Sequence, residues 1–153
     1  MQKLVLQLPW AELPPRFTCD GGDISPPFRI EGLLPDVQSL VLMVLHPHEA
    51  GCCSFCAWII WNIPPEGSIP EGIPPGDQVI LPIRGTQGLN DYGKVGYNGP
   101  CPSPGTSHRV HYKVYGLDAY LSLPGGITKD ALIPALRGHV LQFGFTIAMY
   151  TKR

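Results

Sequence analysis

The sequence predicts a mostly β fold: an antiparallel β-sandwich with Greek-key-like connections and one short helix near the C-terminus. It reads as a single domain over residues 1–153. Three observations carry this. The apolar segments are short and follow strand rather than helix periodicity. Glycine and proline number 18 each and are spread along the chain, which forces frequent connections and disfavours long helices. Only one stretch carries a helical apolar stripe.

Lys3 to Leu8 is a short strand with Leu4, Leu6 and Leu8 on one face, ended by Pro9. Asp20-Gly21-Gly22-Asp23-Ile24-Ser25-Pro26-Pro27 is turn chemistry, in which Asp and Ser side chains bond nearby backbone amides. Ser39 to Leu45 is uninterrupted and apolar, as expected of a central strand buried on both faces. His46-Pro47-His48 follows at its exit, and Pro47 holds His46 extended, so both imidazoles point to one side. Ala57 to Ile63 is a second apolar strand, closed by Pro64-Pro65. Glu66 to Gly76 reads as an exposed excursion, and Gln78 to Ile83 as a short strand.

His108 to Leu117 alternates. Val110, Tyr112 and Val114 share a face with His108, and Arg109, His111 and Lys113 share the solvated one. Thr128 to Arg137 is the helix, with Thr128 as its cap and Pro134 expected to kink or split it. His139 to Tyr150 is a long strand with Leu141, Phe143, Phe145, Ile147 and Met149 on one face.

The segment Asn90 to Arg109 organises the rest. It holds four glycines and three prolines in twenty residues, so it is neither helix nor central strand. Interleaved Asp91, Tyr92, Tyr97, Cys101 and His108 argue for an ordered loop. Such a loop can present several backbone amides to one anion.

Composition excludes several classes. A formal net charge of −1 leaves no basic stripe for nucleic acid. The longest apolar run, Leu40 to Leu45, is far short of the roughly 20 residues of a membrane span, so no membrane insertion is expected. The N-terminus does not read as a signal peptide, and the expected location is the cytoplasm. No Walker loop or dinucleotide fingerprint occurs, and no cofactor is expected. Five cysteines (Cys19, Cys52, Cys53, Cys56 and Cys101) without a signal favour reduced thiols, intracellular disulfides being a property of hyperthermophile proteins. Cys53-Ser-Phe-Cys56 has the spacing of a thiol pair or half a zinc site, with no second pair to complete it.

Several motifs in order resemble the phosphatidylethanolamine-binding protein family, and most closely its bacterial and archaeal Raf kinase inhibitor-like branch. They are the Asp20–Pro27 segment, Asn90-Asp91-Tyr92-Gly93, Gly96-Tyr97-Asn98-Gly99-Pro100-Cys101-Pro102, His108-Arg109 and Gly138-His139-Val140-Leu141. The resemblance runs from about Phe17 to the C-terminus. It implies a sandwich of two antiparallel sheets with a small pocket at one end, which takes phosphate-like or carboxylate anions and phosphoryl head groups. It also implies a role in modulating kinases or inhibiting serine proteases, generally without enzymatic activity.

Carried over residue by residue, the family's pocket is altered here. Its two aspartates fall on His46 and His48, its pocket histidine on Ala57 and its tyrosine on Val110, while Gly99-Pro100 and His108-Arg109 are retained. The implied ligand-binding set is therefore His46, His48, Ala57, Tyr97, Gly99, Pro100, His108 and Val110. Gly99 offers its amide, His108 bonds the anion, His46 and His48 face it, and Tyr97 lines the rim. Asp20, Asn90, Asp91 and Arg109 anchor the loops.

Loss of the carboxylates removes any preference for an ammonium group. Imidazoles with ordinary pKa values near 6.5 should tighten anion binding as they protonate between pH 8 and 5.5. Two other readings use the same chain. One is a metal site at His46, His48 and His108, with a cysteine or Glu49 as fourth ligand and a metal-dependent hydrolase as its activity. The other is a serine protease inhibitor or kinase regulator acting through exposed loops such as Glu66 to Gly76.

Overall fold

The computed structural model describes residues 2–47 and 54–152. Among the described residues ten strands form two sheets. They are β1 (Gln2–Lys3), β2 (Val5–Gln7), β3 (Phe28–Glu31), β4 (Ser39–Pro47), β5 (Ser54–Ile63), β6 (Ser68–Ile69), β7 (Gln78–Val79), β8 (Gly85–Gln87), β9 (Ser107–Leu117) and β10 (Val140–Thr151). Among the described residues one α-helix, α1 (Lys129–Leu136), precedes β10, and a short 3-10 turn spans Pro15–Phe17. The larger sheet runs β1-β10-β9-β4-β5-β8-β7 and the smaller β2-β3-β6. All pairings are antiparallel except β1 with β10. The predicted sandwich is the observed one.

β4 and β5 are buried on both faces, as their unbroken apolar sequences require. One face of the large sheet, with Leu40, Leu42, Val44, Trp58, Ile60, Val110 and Tyr112, packs on the small sheet's Leu6, Phe28, Ile30 and Ile69. The opposite face, with Val41, Met43, Leu45, Ile59 and Trp61, packs under Leu132 and Leu136 of α1 and the strap containing Leu121. A strictly alternating strand would leave one of these layers without its apolar half.

Several readings change or sharpen. The face of β10 with the large apolar residues turns outward: Phe145 and Ile147 are 43% and 40% exposed. The inward side carries Gln142, Gly144, Ala148 and Tyr150. Gly144 is needed there, since a Cβ would lie 2.9 Å from the Leu4 carbonyl oxygen. The Gln142 amide is used up in bonding the Gly32 carbonyl (2.8 Å) and the Leu34 amide (2.9 Å).

Thr128 makes no side-chain cap bond, and Pro134 sits inside the helix without splitting it, two residues before its end. Residues 66–76 are not a free excursion. β6 pairs with β3, Ile69 and Ile73 are buried, and the Gly72 and Ile73 amides donate to the carbonyl (2.9 Å) and hydroxyl (3.0 Å) of Ser25. Lastly, Cys19 and Cys101 form a disulfide across 82 residues rather than remaining thiols, because the loops that carry them lie back to back. Among the described residues, no helix is long and apolar enough to cross a membrane.

Candidate functional site

The site lies where β4 ends, β5 begins and β9 starts, under the segment Asn90 to Arg109. Strand parity places His46, Val110 and His108 on the inner side of the large sheet. The register of β4 against β9 pairs Val44 with Tyr112 and Leu45 with His111. His46 is 7% exposed, and its ring lies nearly parallel to that of Phe55, with centroids 6.3 Å apart. Phe55 in turn meets the Tyr92 ring edge-on at 4.6 Å. Burial, and then the nearby His108, push the His46 pKa down to about 4. Among the described residues, its Nε2 is buried with no hydrogen-bond partner. The same holds for the hydroxyl of Tyr112, whose ring packs on Phe28.

Asn90 bonds several groups of the loop. Its Oδ1 accepts from the amides of Tyr92 (2.9 Å) and Lys94 (3.0 Å). Its Nδ2 reaches the carbonyls of Ala57 (3.1 Å) and Gly96 (3.0 Å) and Oδ1 of Asn98 (2.7 Å). Asp91 bonds an amide too, but that of Cys56 on β5 (2.7 Å), so it fastens the loop to the sheet rather than to itself. Ala57 is fully buried and serves through its carbonyl, which also accepts from the Asn98 amide (3.2 Å). Asp20 accepts from the Tyr150 hydroxyl and pairs with Lys152 Nζ at 3.1 Å, joining the first loop to the last strand.

Several assigned roles do not survive. The Gly99 amide is not open to a ligand, because it donates to Oδ1 of Asp23 at 2.7 Å. Tyr97 is not at a rim: it is 3% exposed, donates to the Phe17 carbonyl at 2.6 Å and stands edge-on to Trp58. Val110 and Pro100 are buried, the latter accepting from the Cys19 amide at 3.4 Å. Arg109 is exposed on the outer face and, among the described residues, makes no ion pair that would anchor the loop. His111 is half-buried against the edge of Phe145 rather than freely solvated.

His48, Glu49, Cys52 and Cys53 lie outside the described residues. Among the described residues, no three His, Cys, Asp or Glu side chains are grouped to hold a metal ion. Cys56, the described half of the C-x-x-C, is buried, and burial with the adjacent Asp91 pushes its thiol up to about 11. That opposes the thiolate a redox pair needs.

Sequence reasoning missed Asp23, whose φ of 54° aims its carboxylate back at Gly99. The available signal was an acid set among glycines in a turn, since Asp and Asn tolerate that conformation. It also missed Phe55 and Tyr112, which no local pattern distinguishes from core.

A model of the phosphatidylethanolamine-binding protein family matches residues 8–151. The chain belongs to this family. UPF0098 proteins of two archaea are similar to it. That of Pyrococcus abyssi is 46% identical over 142 residues, spanning 92% of this chain and 79% of the relative. That of Pyrococcus horikoshii is 47% identical over 142 residues, spanning 92% and 71%. Among solved structures, one described as a phosphatidylethanolamine-binding protein homolog from Chlamydia trachomatis aligns over all of both chains, with 30% identity and a TM-score of 0.83. Escherichia coli YbcL, at 21% identity and a TM-score of 0.84 over 99% of both chains, shares the fold.

Proposed function

We propose that this phosphatidylethanolamine-binding family member is a non-enzymatic binding module that takes a small phosphoryl or carboxylate anion at the end of β4, between His46 and His108. The carrying observation is the buried His46 Nε2, which has no partner among the described residues. A neutral imidazole offers one N–H donor and one acceptor, and a buried polar atom without a partner costs about 1–3 kcal/mol. An anion oxygen accepting from Nε2–H removes that cost.

His46 does this as a neutral donor. With its pKa near 4, it gains no charge between pH 8 and 5.5, so the expected acid-driven tightening does not come from this residue. By the family resemblance both pocket aspartates fall on histidines, so no preference for an ammonium group is expected.

The test is an NMR titration with inorganic phosphate and with phosphoethanolamine, followed at the His46 and His108 imidazoles. Saturable shifts with equal affinity for both ligands are expected, and their loss in His46→Leu. Silence at both imidazoles, or a clear preference for phosphoethanolamine, refutes the reading.

A further inference from the structure

A concavity lies at one end of the small sheet, and none of its lining residues belongs to the site above. All three strands of that sheet meet proline at this end. β2 leaves Gln7 into Leu8-Pro9, β3 is entered from Pro27, and β6 leaves Ile69 into Pro70. Gln7 and Ser68 are the register partners of Arg29, and Ile69 that of Phe28, so the three ends are level. Proline has no N–H and cannot continue a ladder. A cavity of about 460 Å³ lies there, over the start of β3.

The walls are Leu8, Pro9, Pro27, Phe28 and Pro70, with Arg29 among the polar lining residues. Arg29 is exposed and makes no ion pair with any described carboxylate. Glu31, two positions along the same strand, is beyond ion-pair distance. The volume is that of a small-molecule site, mostly apolar with a few polar groups that fix orientation. Prolines hold the walls, so little conformational freedom is lost when a ligand enters. A guanidinium presents its donors in a planar fork that matches a carboxylate.

From this juxtaposition we infer that the proline-lined cavity is a binding site for a small amphiphilic monocarboxylate. Its apolar body lies against Leu8 and the prolines, and its carboxylate bonds to Arg29. The inference is independent of the anion site, which has no wall in common with it.

The experiment titrates the full chain with 4-phenylbutyrate and with its uncharged amide at pH 7.5, reading backbone amide shifts. Saturable shifts at Arg29 and Ser68 are expected with the acid, with the amide binding about tenfold more weakly for want of the charge-assisted pair. Arg29→Gln, a change at an exposed side chain, should bring the acid to the affinity of the amide. Ser68→Trp, which fills the cavity mouth, should abolish both. Absence of saturable shifts, equal binding of acid and amide, or unchanged affinity in Arg29→Gln overturns the inference. Phosphate shifts at His46 and His108 read the other site separately.

Discussion

The Gly99 amide donates to Oδ1 of Asp23 at 2.7 Å, across 76 residues of chain. The same glycine backs so closely on the first loop that a Cβ would lie 2.1 Å from the Phe17 carbonyl oxygen. Bond and contact together seat the organising loop on the segment carrying Thr18 to Asp23. Asn98 reinforces this by donating to the other Asp23 oxygen at 3.3 Å.

Removing the acceptor tests that seat. Asp23→Ala leaves the buried Gly99 amide unpaired and places alanine at a positive φ of 54°. A loss of about 2 kcal/mol in urea unfolding is expected from these two effects. Asp23→Asn keeps the acceptor and tolerates the backbone, so it should lose less than half as much. Equal losses in the two variants would show that the bond contributes nothing.

Asn90 is the larger contributor. Its side chain serves two amides and three acceptors while 3% exposed. Asn90→Ala should cost about 3 kcal/mol, since several buried groups lose partners together. Asn90→Asp is expected to be comparably damaging, because it turns a carboxylate oxygen toward the carbonyls of Ala57 and Gly96. Both are checked by denaturant midpoints at pH 7.

These ties mark what the sequence could convey. The strands β4, β5, β9 and β10 were legible because apolar runs and alternation record burial directly. The role of Asn90 was legible from its place among glycines. β3 and β6 were not, as they are short and flanked by prolines, and their pairing with each other depends on residues about 40 apart. The outward turn of Phe145 and Ile147 was hidden because periodicity states that two faces differ but not which is covered. Gly99 was assigned a free amide for a similar reason: whether a loop amide is bare depends on Asp23, which arrives from a distant turn.

The depressed pKa of His46 sets a pH dependence of stability. The folded value is about 4, against an ordinary 6.5. Below pH 6.5 the unfolded chain takes up a proton at this residue and the folded chain does not, so acid favours unfolding. The contribution is complete above pH 6.5 and is lost as pH falls towards 4, at about 3 kcal/mol in all. His46→Leu should flatten the difference in urea midpoint between pH 7.5 and 4.5 relative to the unsubstituted protein. An unchanged slope in that variant would mean that His46 is solvated.

The Cys19–Cys101 disulfide closes a loop of 82 residues over the same seam that Asp23 and Gly99 hold. In the chain-entropy account, a cross-link across so long a loop stabilises by about 4.5 kcal/mol, chiefly by restricting the unfolded state. The double substitution Cys19→Ser with Cys101→Ser should therefore lower the urea midpoint markedly. The amide shift of Gly99 should move little, because the Asp23 bond and the Tyr97–Phe17 bond hold the two loops together without the sulfurs. A large Gly99 shift in that variant, or a midpoint unchanged from the parent, would show that the seam depends on the disulfide in the folded state or that the bond adds no constraint.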